Sequence, residues 1–336
     1  MKRVSISIPC RNEEKYIGRC LQSIVDCSYP KALLKVYVCD GQSDDQTPAI
    51  IHDFAARYSF IHYLVTEKKT TPFALNLGLK ADQSDIKIIL GAHAEIYPDY
   101  IEKCIEAFSF DPMLACVGGI LENVYENETA EVIGKAMSSG FGVGNAHFRT
   151  GSSDGFVDTV AFGAYKSEVF EKIGYFDEEL IRNQDDEFNF RVIKNGFKIY
   201  LSHQIRSRYY VRSSYNKLFK QYYQYGYWKV YVNKKHHTIT TFRQLVPLFF
   251  VSFLIGGAFL SCLFPLLCYG YVAILGLYAT AAILSASKQS KKFMVVANIV
   301  KSFFILHFSY GIGYLTGIKD FFILQKSIKK EEHLSR

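Results

Sequence analysis

Over residues 1–90, short apolar runs rich in β-branched residues alternate with longer stretches of helical period, and polar clusters separate them. Val4–Pro9 reads as a strand, Glu14–Cys27 as a helix, Lys35–Cys39 as a strand and Thr47–Tyr58 as a helix. Ile61–Val65, Pro72–Ala81 and Ile86–Leu90 then read as strand, helix and strand. The order βαβαβαβ predicts an α/β fold built on a doubly wound, mainly parallel sheet. Such sheets bind ligands beyond the carboxyl ends of their strands, so the loops that follow the strands are the first place to look for chemistry. Those loops are polar: Pro9-Cys10-Arg11-Asn12-Glu13-Glu14 after the first strand, Asp40-Gly41-Gln42-Ser43-Asp44-Asp45 after the second, and Gly91-Ala92-His93-Ala94-Glu95 after the fourth.

The pattern changes toward the C-terminus. Leu245–Phe264 and Leu266–Ala286 contain no Asp, Glu, Lys or Arg, and each reaches the roughly 20 residues that span a hydrocarbon core. Both are predicted to cross a membrane. A third run, Phe293–Ile318, is long enough but carries Lys301 and His307, which are costly in lipid, so it is expected to be re-entrant or interfacial. The predicted organisation is a catalytic domain over 1–205, a basic and aromatic interfacial helix segment over 206–243, a membrane region over 244–318, and a basic cytosolic tail over 319–336. Two full crossings place both termini on the cytosolic side, as the Lys residues at 288, 291, 292, 319, 326, 329 and 330 and Arg336 prefer.

Apolar residues make up 49% of the 336 and charged residues 21%, which excludes a disordered chain. The net charge of +7 conceals a division, for residues 1–187 hold 29 acids and 18 bases whereas residues 188–336 hold 3 acids and 21 bases. No Asp or Glu occurs between Glu187 and Asp320. A half this basic predicts an anionic partner, and the neighbouring apolar runs make it a membrane surface or a diphosphate group in preference to nucleic acid. Within 206–235, eight Lys/Arg including Arg212 interleave with ten aromatics, which suits an amphipathic helix at headgroup level. The N-terminus runs straight into a strand pattern with no apolar leader, so no cleaved signal peptide is expected and the catalytic part is placed in the cytosol. The eight cysteines show no CxxC pair or finger spacing and read as packing residues of a reducing compartment.

The polar loops match a family in order. Val4-Ser-Ile-Ser-Ile-Pro9-Cys-Arg-Asn12-Glu13 followed by Asp40-Gly41-Gln-Ser43-Asp-Asp45-Gln-Thr47 resembles the opening of family 2 glycosyltransferases of the GT-A fold. Thr71-Pro72 to Gly78, Phe162-Gly163-Ala164-Tyr165 to Glu178, Arg182-Asn183-Gln184-Asp185-Asp186-Glu187 to Arg191, and Gln221 to Trp228 continue the match, and the membrane part fits the exopolysaccharide, succinoglycan-type branch. The resemblance implies an inverting transfer from a nucleotide-diphosphate sugar. It implies donor contacts from Pro9, Arg11, Asn12, Glu13, Asp40, Asp45, Asn76 and Ala92, although Asp45 reads equally well as a helix cap. Asp185 corresponds to the catalytic base, and the neighbouring Asp186 and Glu187 should raise its pKa. Gln184 stands where relatives have Glu. Tyr165, Arg191, Gln221, Gln224, Trp228 and Lys229 are expected beside the acceptor or the diphosphate, the last four within a stretch that resembles the Gln-x-x-Arg-Trp element of membrane-bound sugar polymerases.

One departure concerns the metal. Relatives end the fourth strand with Asp-x-Asp or Asp-Ala-His, and this chain reads Gly91-Ala92-His93. The first carboxylate is missing, which leaves His93 and Glu95 as candidate ligands for Mg²⁺ or Mn²⁺ and puts metal dependence in question. The reading is a membrane-attached, cytosol-facing glycosyltransferase of the inner membrane acting on a polyprenyl-diphosphate-linked glycan. A processive polysaccharide synthase and a non-catalytic scaffold are the alternatives.

Overall fold

The computed structural model describes residues 1–144, 146–151, 154–211 and 213–326. Arg212 and the tail residues Lys329, Lys330 and Arg336 lie outside the described residues. Strand β1 (Val4–Cys10), helix α1 (Ile17–Val25), β2 (Leu34–Asp40), α2 (Thr47–Arg57), β3 (Ile61–Val65), α3 (Thr71–Lys80) and β4 (Ile86–Ile89) realise the expected alternation. Next come β5 (Ala94–Ile96), α4 (Tyr100–Ala107), β6 (Leu114–Val124), α5 (Glu128–Met137), α6 (Gly140–Val143), α7 (His147–Thr150), β7 (Gly155–Phe156), β8 (Ala161–Lys166), α8 (Ser167–Ile173), α9 (Gln184–Lys194) and β9 (Lys198–Tyr210). Four longer helices close the chain: α10 (Tyr215–His236), α11 (Val246–Leu263), α12 (Pro265–Gln289) and α13 (Phe293–Ile318).

The chain divides into two compact units. The first draws on Met1–Asn123 and His147–Tyr210 and holds a nine-stranded sheet ordered β3-β2-β1-β4-β8-β6-β9-β5, with β7 beside β9. Strands β1 to β4 are parallel, and β8 runs antiparallel between β4 and β6. The register Val4↔Leu34 through Cys10↔Asp40 ends β1 and β2 at the same level, so the loops that leave them start side by side. Helix α1 buries Ile17, Cys20, Leu21 and Ile24, the i, i+3, i+4, i+7 stripe of an amphipathic helix, in one core with Val4, Ile6 and Ile8. Burying each such aliphatic side chain contributes about 1.5–3 kcal/mol. The helix begins three residues later than its periodicity predicts, because Glu13 and Glu14 are engaged by the next loop. The cysteines at 10, 20, 27, 39, 104 and 116 are buried free thiols that pack as expected.

The second unit comprises Val124–Ala146 and Val211–Ile328. The domain break therefore falls after Tyr210, five residues later than predicted, and α5 and α6 join the helical unit. Their apolar face explains it: Val132, Ile133, Ala136 and Met137 are buried in a unit whose long helices are themselves apolar. Helices α11 and α12 are apolar on every side, with Leu266 81% and Leu277 70% exposed, as helices surrounded by lipid are. Three segments, Phe242–Leu263, Pro265–Gln289 and Phe293–Ile323, are long and apolar enough to cross a bilayer.

Helices α10 and α13 lie side by side and run in the same direction. Tyr215 at the start of α10 carries Lys301 Nζ at 4.2 Å from its ring centre. Farther along, Asn233 donates to Tyr314 Oη at 2.9 Å, and Lys234 donates to the carbonyl of Phe321 at 2.6 Å. Gly226 and Gly313 permit this approach, since a Cβ on either would lie 2.0 Å from a carbonyl oxygen of the other helix. Helix α13 is unbroken over Phe293–Ile318, which speaks against the re-entrant form of the expectation and leaves the interfacial one. The two residues that motivated that expectation are partnered: Lys301 by Tyr215, and His307 by the Tyr278 hydroxyl and the Phe141 carbonyl, both at 2.9 Å.

Candidate active site

The loops after β1 and β2 are locked to each other. The Asn12 amide donates to Ser43 Oγ at 2.9 Å and Asn12 Oδ1 accepts from the Asp44 amide at 3.0 Å. The Glu13 amide donates to Thr47 Oγ1 at 2.8 Å. Asp40, at the end of β2, is 1% exposed and accepts from the hydroxyls of Ser43 at 2.5 Å and Tyr63 at 3.0 Å. Burial and this bond push the Tyr63 phenol up to about 12. Asp45 accepts from the amides of Thr47 at 2.9 Å and Glu14 at 3.2 Å, which ties the start of α2 to the chain after β1. Burial raises its carboxyl, but the hydrogen bonds outweigh that and hold it below the usual carboxylate range.

Four non-glycine residues with positive φ bracket the candidate residues: Asn12 at 55° after β1, Gln42 at 61° after β2, Phe162 at 49° in β8 and Asn183 at 61° just before α9. For a bulky residue such as Phe162 this is an outlier that the surroundings must enforce. Tyr100 does so by donating its hydroxyl to the Phe162 carbonyl at 2.5 Å.

Asp185 stands in the first turn of α9 and is open to solvent, yet set deep among protein atoms. That surrounding desolvation, then the like charge of Asp186, raise its carboxyl above the ordinary value against the pull of nearby backbone amides and Arg182. Beside it, the Gln184 amide oxygen is buried without a hydrogen-bond partner. Tyr165 is 2% exposed, so it cannot touch an acceptor as expected; its hydroxyl donates to Asn189 Oδ1 at 2.9 Å, and Asn189 donates to Thr159 Oγ1 at 3.0 Å. Arg191 is likewise corrected. Its guanidinium donates to Glu187 at 2.8 and 3.0 Å and to the carbonyls of Ile173 and Tyr175 at 2.6 and 2.7 Å, which fixes α9 to the chain after α8. Asn76 also braces and does not face a donor: it accepts from the Phe176 amide at 3.0 Å and donates to the Phe176 carbonyl at 2.9 Å and to Glu178 at 3.0 Å.

At the end of β4, Ala92 is buried and His93 Nδ1 lies 3.4 Å from the Glu13 carboxylate. His93 and Glu95, the candidate metal ligands, meet different partners here. Strand β5 pairs with β9 in the register Ala94↔Tyr209 and Glu95↔Arg208, and Glu95 accepts from the Tyr210 hydroxyl and lies 3.5 Å from Arg208. Gly91 is closed from the other side, since a Cβ there would sit 3.0 Å from the Phe162 ring. Among the described residues no three His, Cys, Asp or Glu side chains gather as ligands. Pro9 and Arg11 stay at the end of β1, where Arg11 packs beside Gly41.

The acceptor residues expected from the second unit are packed within it. Trp228 is 2% exposed, with ring centres of Tyr227, Tyr231 and Phe321 at 5.7, 6.0 and 6.2 Å. Lys229 is fully buried and its ammonium lies 3.3 Å from Thr241 Oγ1. Gln221 donates to Tyr225 Oη at 2.8 Å and keeps a buried, unpartnered amide oxygen, while Gln224 is half-buried on the same helix.

The residues that sequence reasoning missed are those of β9 and α7. Arg19 donates to Tyr210 Oη at 3.1 Å, the Tyr16 and Tyr210 rings lie 5.0 Å apart, and the edge of His93 meets the Tyr209 ring at 5.4 Å. The Arg149 guanidinium lies 5.3 Å from the centre of that Tyr209 ring. No local signal announces them, because β5 and β9 are more than a hundred residues apart.

Residues 5–174 match the model of the family described as glycosyl transferase family 2. The chain is 37% identical over 233 residues to the dolichyl N-acetyl-α-D-glucosaminyl phosphate 3-β-D-2,3-diacetamido-2,3-dideoxy-β-D-glucuronosyltransferase of Methanococcus voltae, covering 67% of this chain and 72% of that protein. It is 25% identical over 325 residues to the succinoglycan biosynthesis protein ExoA of Rhizobium meliloti, covering 94% and 95%. Its fold is that of a mannosyltransferase from Pyrobaculum calidifontis solved with GDP-Man and Mn²⁺, with a TM-score of 0.60 at 16% identity over 95% of this chain and 88% of that one. With the parallel half-sheet, the crevice loops and the acidic turn of α9 in the places the motifs predict, the chain belongs to glycosyl transferase family 2 and is an inverting glycosyltransferase of the GT-A fold.

Proposed function

We propose that this enzyme transfers one sugar from a nucleotide-diphosphate donor to a polyprenyl-linked glycan at the cytosolic face of the cytoplasmic membrane, during assembly of a surface polysaccharide or lipid-linked oligosaccharide. The observation that carries the reading is Asp185, a solvent-open carboxylate with a raised pKa on a helix braced by Tyr165 and Arg191. The acceptor hydroxyl oxygen attacks the anomeric carbon, its proton passes to Asp185, and the bond from that carbon to the diphosphate oxygen breaks with both electrons leaving on the nucleotide. A base for this step must lie within hydrogen-bond reach of the nucleophile and titrate near the working pH, and desolvation by the surrounding protein atoms, with the like charge of Asp186, moves Asp185 in that direction. Asp40, fixed by Ser43 and Tyr63, is suited to the base or ribose of the donor. The apolar helices and the lipid-linked substrate named for the Methanococcus relative support an acceptor held at a membrane.

The test is turnover. The detergent-solubilised full chain is incubated with a panel of UDP- and GDP-sugars and a membrane lipid extract, and products are resolved by mass spectrometry. A lipid-linked glycan one sugar longer, formed by the native chain and not by Asp185→Asn, is expected. Free-sugar release alone, or product from the variant at the native rate, overturns the reading.

A further inference from the structure

We propose that His203 is a pH-operated latch: as an imidazolium it pins Gly151, just past α7, and Asp154, just before β7, to β9, and on losing its proton it lets α7 go. The observation is the pair of partners on its ring. Nδ1 lies 2.5 Å from Asp154 Oδ1, and Nε2 lies 2.9 Å from the Gly151 carbonyl oxygen. Both partners are acceptors, a carboxylate and a carbonyl, so each needs a hydrogen from the ring. A neutral imidazole carries one N–H and the cation carries two. Only the cation makes both bonds, and the arrangement is complete in one protonation state.

The backbone is shaped for this contact. Gly151 stands at φ 61°, in the left-handed region that ends helices. Its amide donates to the His147 carbonyl at 2.9 Å, which closes α7, while its own carbonyl is turned to His203. Asp154 Oδ1 also accepts from the His203 backbone amide at 2.5 Å, so the carboxylate is anchored to the strand independently of the ring. A helix of four residues is too short to persist by itself. Tertiary contacts must hold α7: Phe148 packs against the core that contains Leu201, the Arg149 guanidinium lies 5.3 Å from the Tyr209 ring centre, and Gly151 is bound by His203. Tyr209 in turn meets the His93 ring at 5.4 Å, so α7 rests on a ring that touches the loop after β4.

The electrostatics favour the cation. The Gly151 carbonyl and then Asp154 raise the imidazole above its ordinary value, against the opposing pull of burial. Among the described residues Asp154 is the charged group that acts on the ring; the charged side chains of α4, α9 and β5, which also pack against β9, do not. Arg206 and Arg208 of β9 itself lie against Glu122 and Glu95. The latch is therefore full below the ordinary histidine value and is lost as pH rises through the raised one. The His203 and Asp154 side chains are 37% and 46% exposed, and pairs so exposed add little to global stability, which puts the change in local opening.

The experiment is hydrogen–deuterium exchange of the solubilised full chain from about pH 6 to about pH 9, with labelling times scaled to the intrinsic exchange rate. It is read in peptides covering 147–157, with peptides of β1 and β2 as internal references. In the native chain protection over 147–157 is expected to fall about tenfold across that range while β1 and β2 stay constant. His203→Gln, neutral throughout, should show the fast exchange at every pH, and His203→Arg, a cation throughout, should keep the slow exchange to the top of the range. Asp154→Asn should move the step to lower pH, because it removes the counter-charge and keeps an oxygen for the backbone amide. Thermal unfolding identifies a variant that misfolds, and the native profile tests the latch without any variant. A flat native profile, an unchanged step in folded His203→Gln, or a step shared with β1 and β2 overturns the proposal.

Discussion

Tyr165 donates its hydroxyl hydrogen to Asn189 at 2.9 Å, one helical turn beyond Asp185 on α9. A residue expected to touch the acceptor thus sets the rotation of the helix that carries Asp185. The clamp is completed by Arg191, whose bonds to the carbonyls of Ile173 and Tyr175 fix the other end of the same helix.

Replacing Asp185 by Asn should lower kcat by about 10²–10⁴-fold, the usual contribution of a positioned base, and leave donor affinity within twofold. In the native enzyme kcat should fall as pH drops through the raised carboxyl value, one proton per site. Stability carries the opposite signature. An acid whose carboxyl is raised in the fold is penalised when ionised, so the cost is full above the folded value and disappears as pH falls below the unfolded one. Asp185→Asn should therefore unfold at a higher Tm than the native chain at pH 8, with the difference shrinking toward pH 4. A lower Tm at pH 8 would show that the carboxylate is stabilised in place.

Restoring the missing carboxylate is not a simple gain. The Cβ of Gly91→Asp would stand 3.0 Å from the Phe162 ring, and overpacking of this kind costs about 1–3 kcal/mol. The single variant should lose Tm, and Phe162→Ala in the same background should recover part of it. Only the double variant is expected to acquire Mn²⁺-stimulated turnover, measured against free metal after chelation.

Trp228 should behave as a packing residue. Its removal from the cluster with Tyr227, Tyr231 and Phe321 is expected to cost about 3–5 kcal/mol in Trp228→Ala, read as a lower Tm and a lower yield of folded protein. The kcat/KM per folded molecule should stay within threefold. A large rise in KM at native Tm would restore it to the acceptor site.

The parallel half of the sheet was legible because its signals are local: Val4–Cys10 and Leu34–Asp40 are apolar runs bounded by polar residues, with Asn12 just beyond the first and Asp40 ending the second. What sequence could not supply is the direction of a side chain. Arg191, Asn76 and Trp228 each stand in a matching motif, yet their partners lie on other elements and hold them inside the fold. Glu95 lies two residues after His93, but the pairing of β5 with a strand more than a hundred residues away turns it to Tyr210.

The parallel packing of α10 and α13 fixes a depth. Helix α10 carries Lys217, Lys220, Lys229, Lys234 and Lys235 within 22 residues and cannot pass through hydrocarbon. Helix α13 accompanies it from Lys301 to beyond its own end, tied at Tyr215, Gly226, Asn233 and Lys234. Two rods bound along their length should sit at one level, so the long apolar α13 is expected to be held at the headgroups by its charged companion, with only α11 and α12 passing through. On that expectation the chain leaves the membrane on the side it entered. A membrane-impermeant maleimide should fail to label Gln325→Cys in intact cells lacking Cys262 and Cys268, and should label it once the membrane is opened; labelling in intact cells would mean that α13 crosses and carries α10 with it.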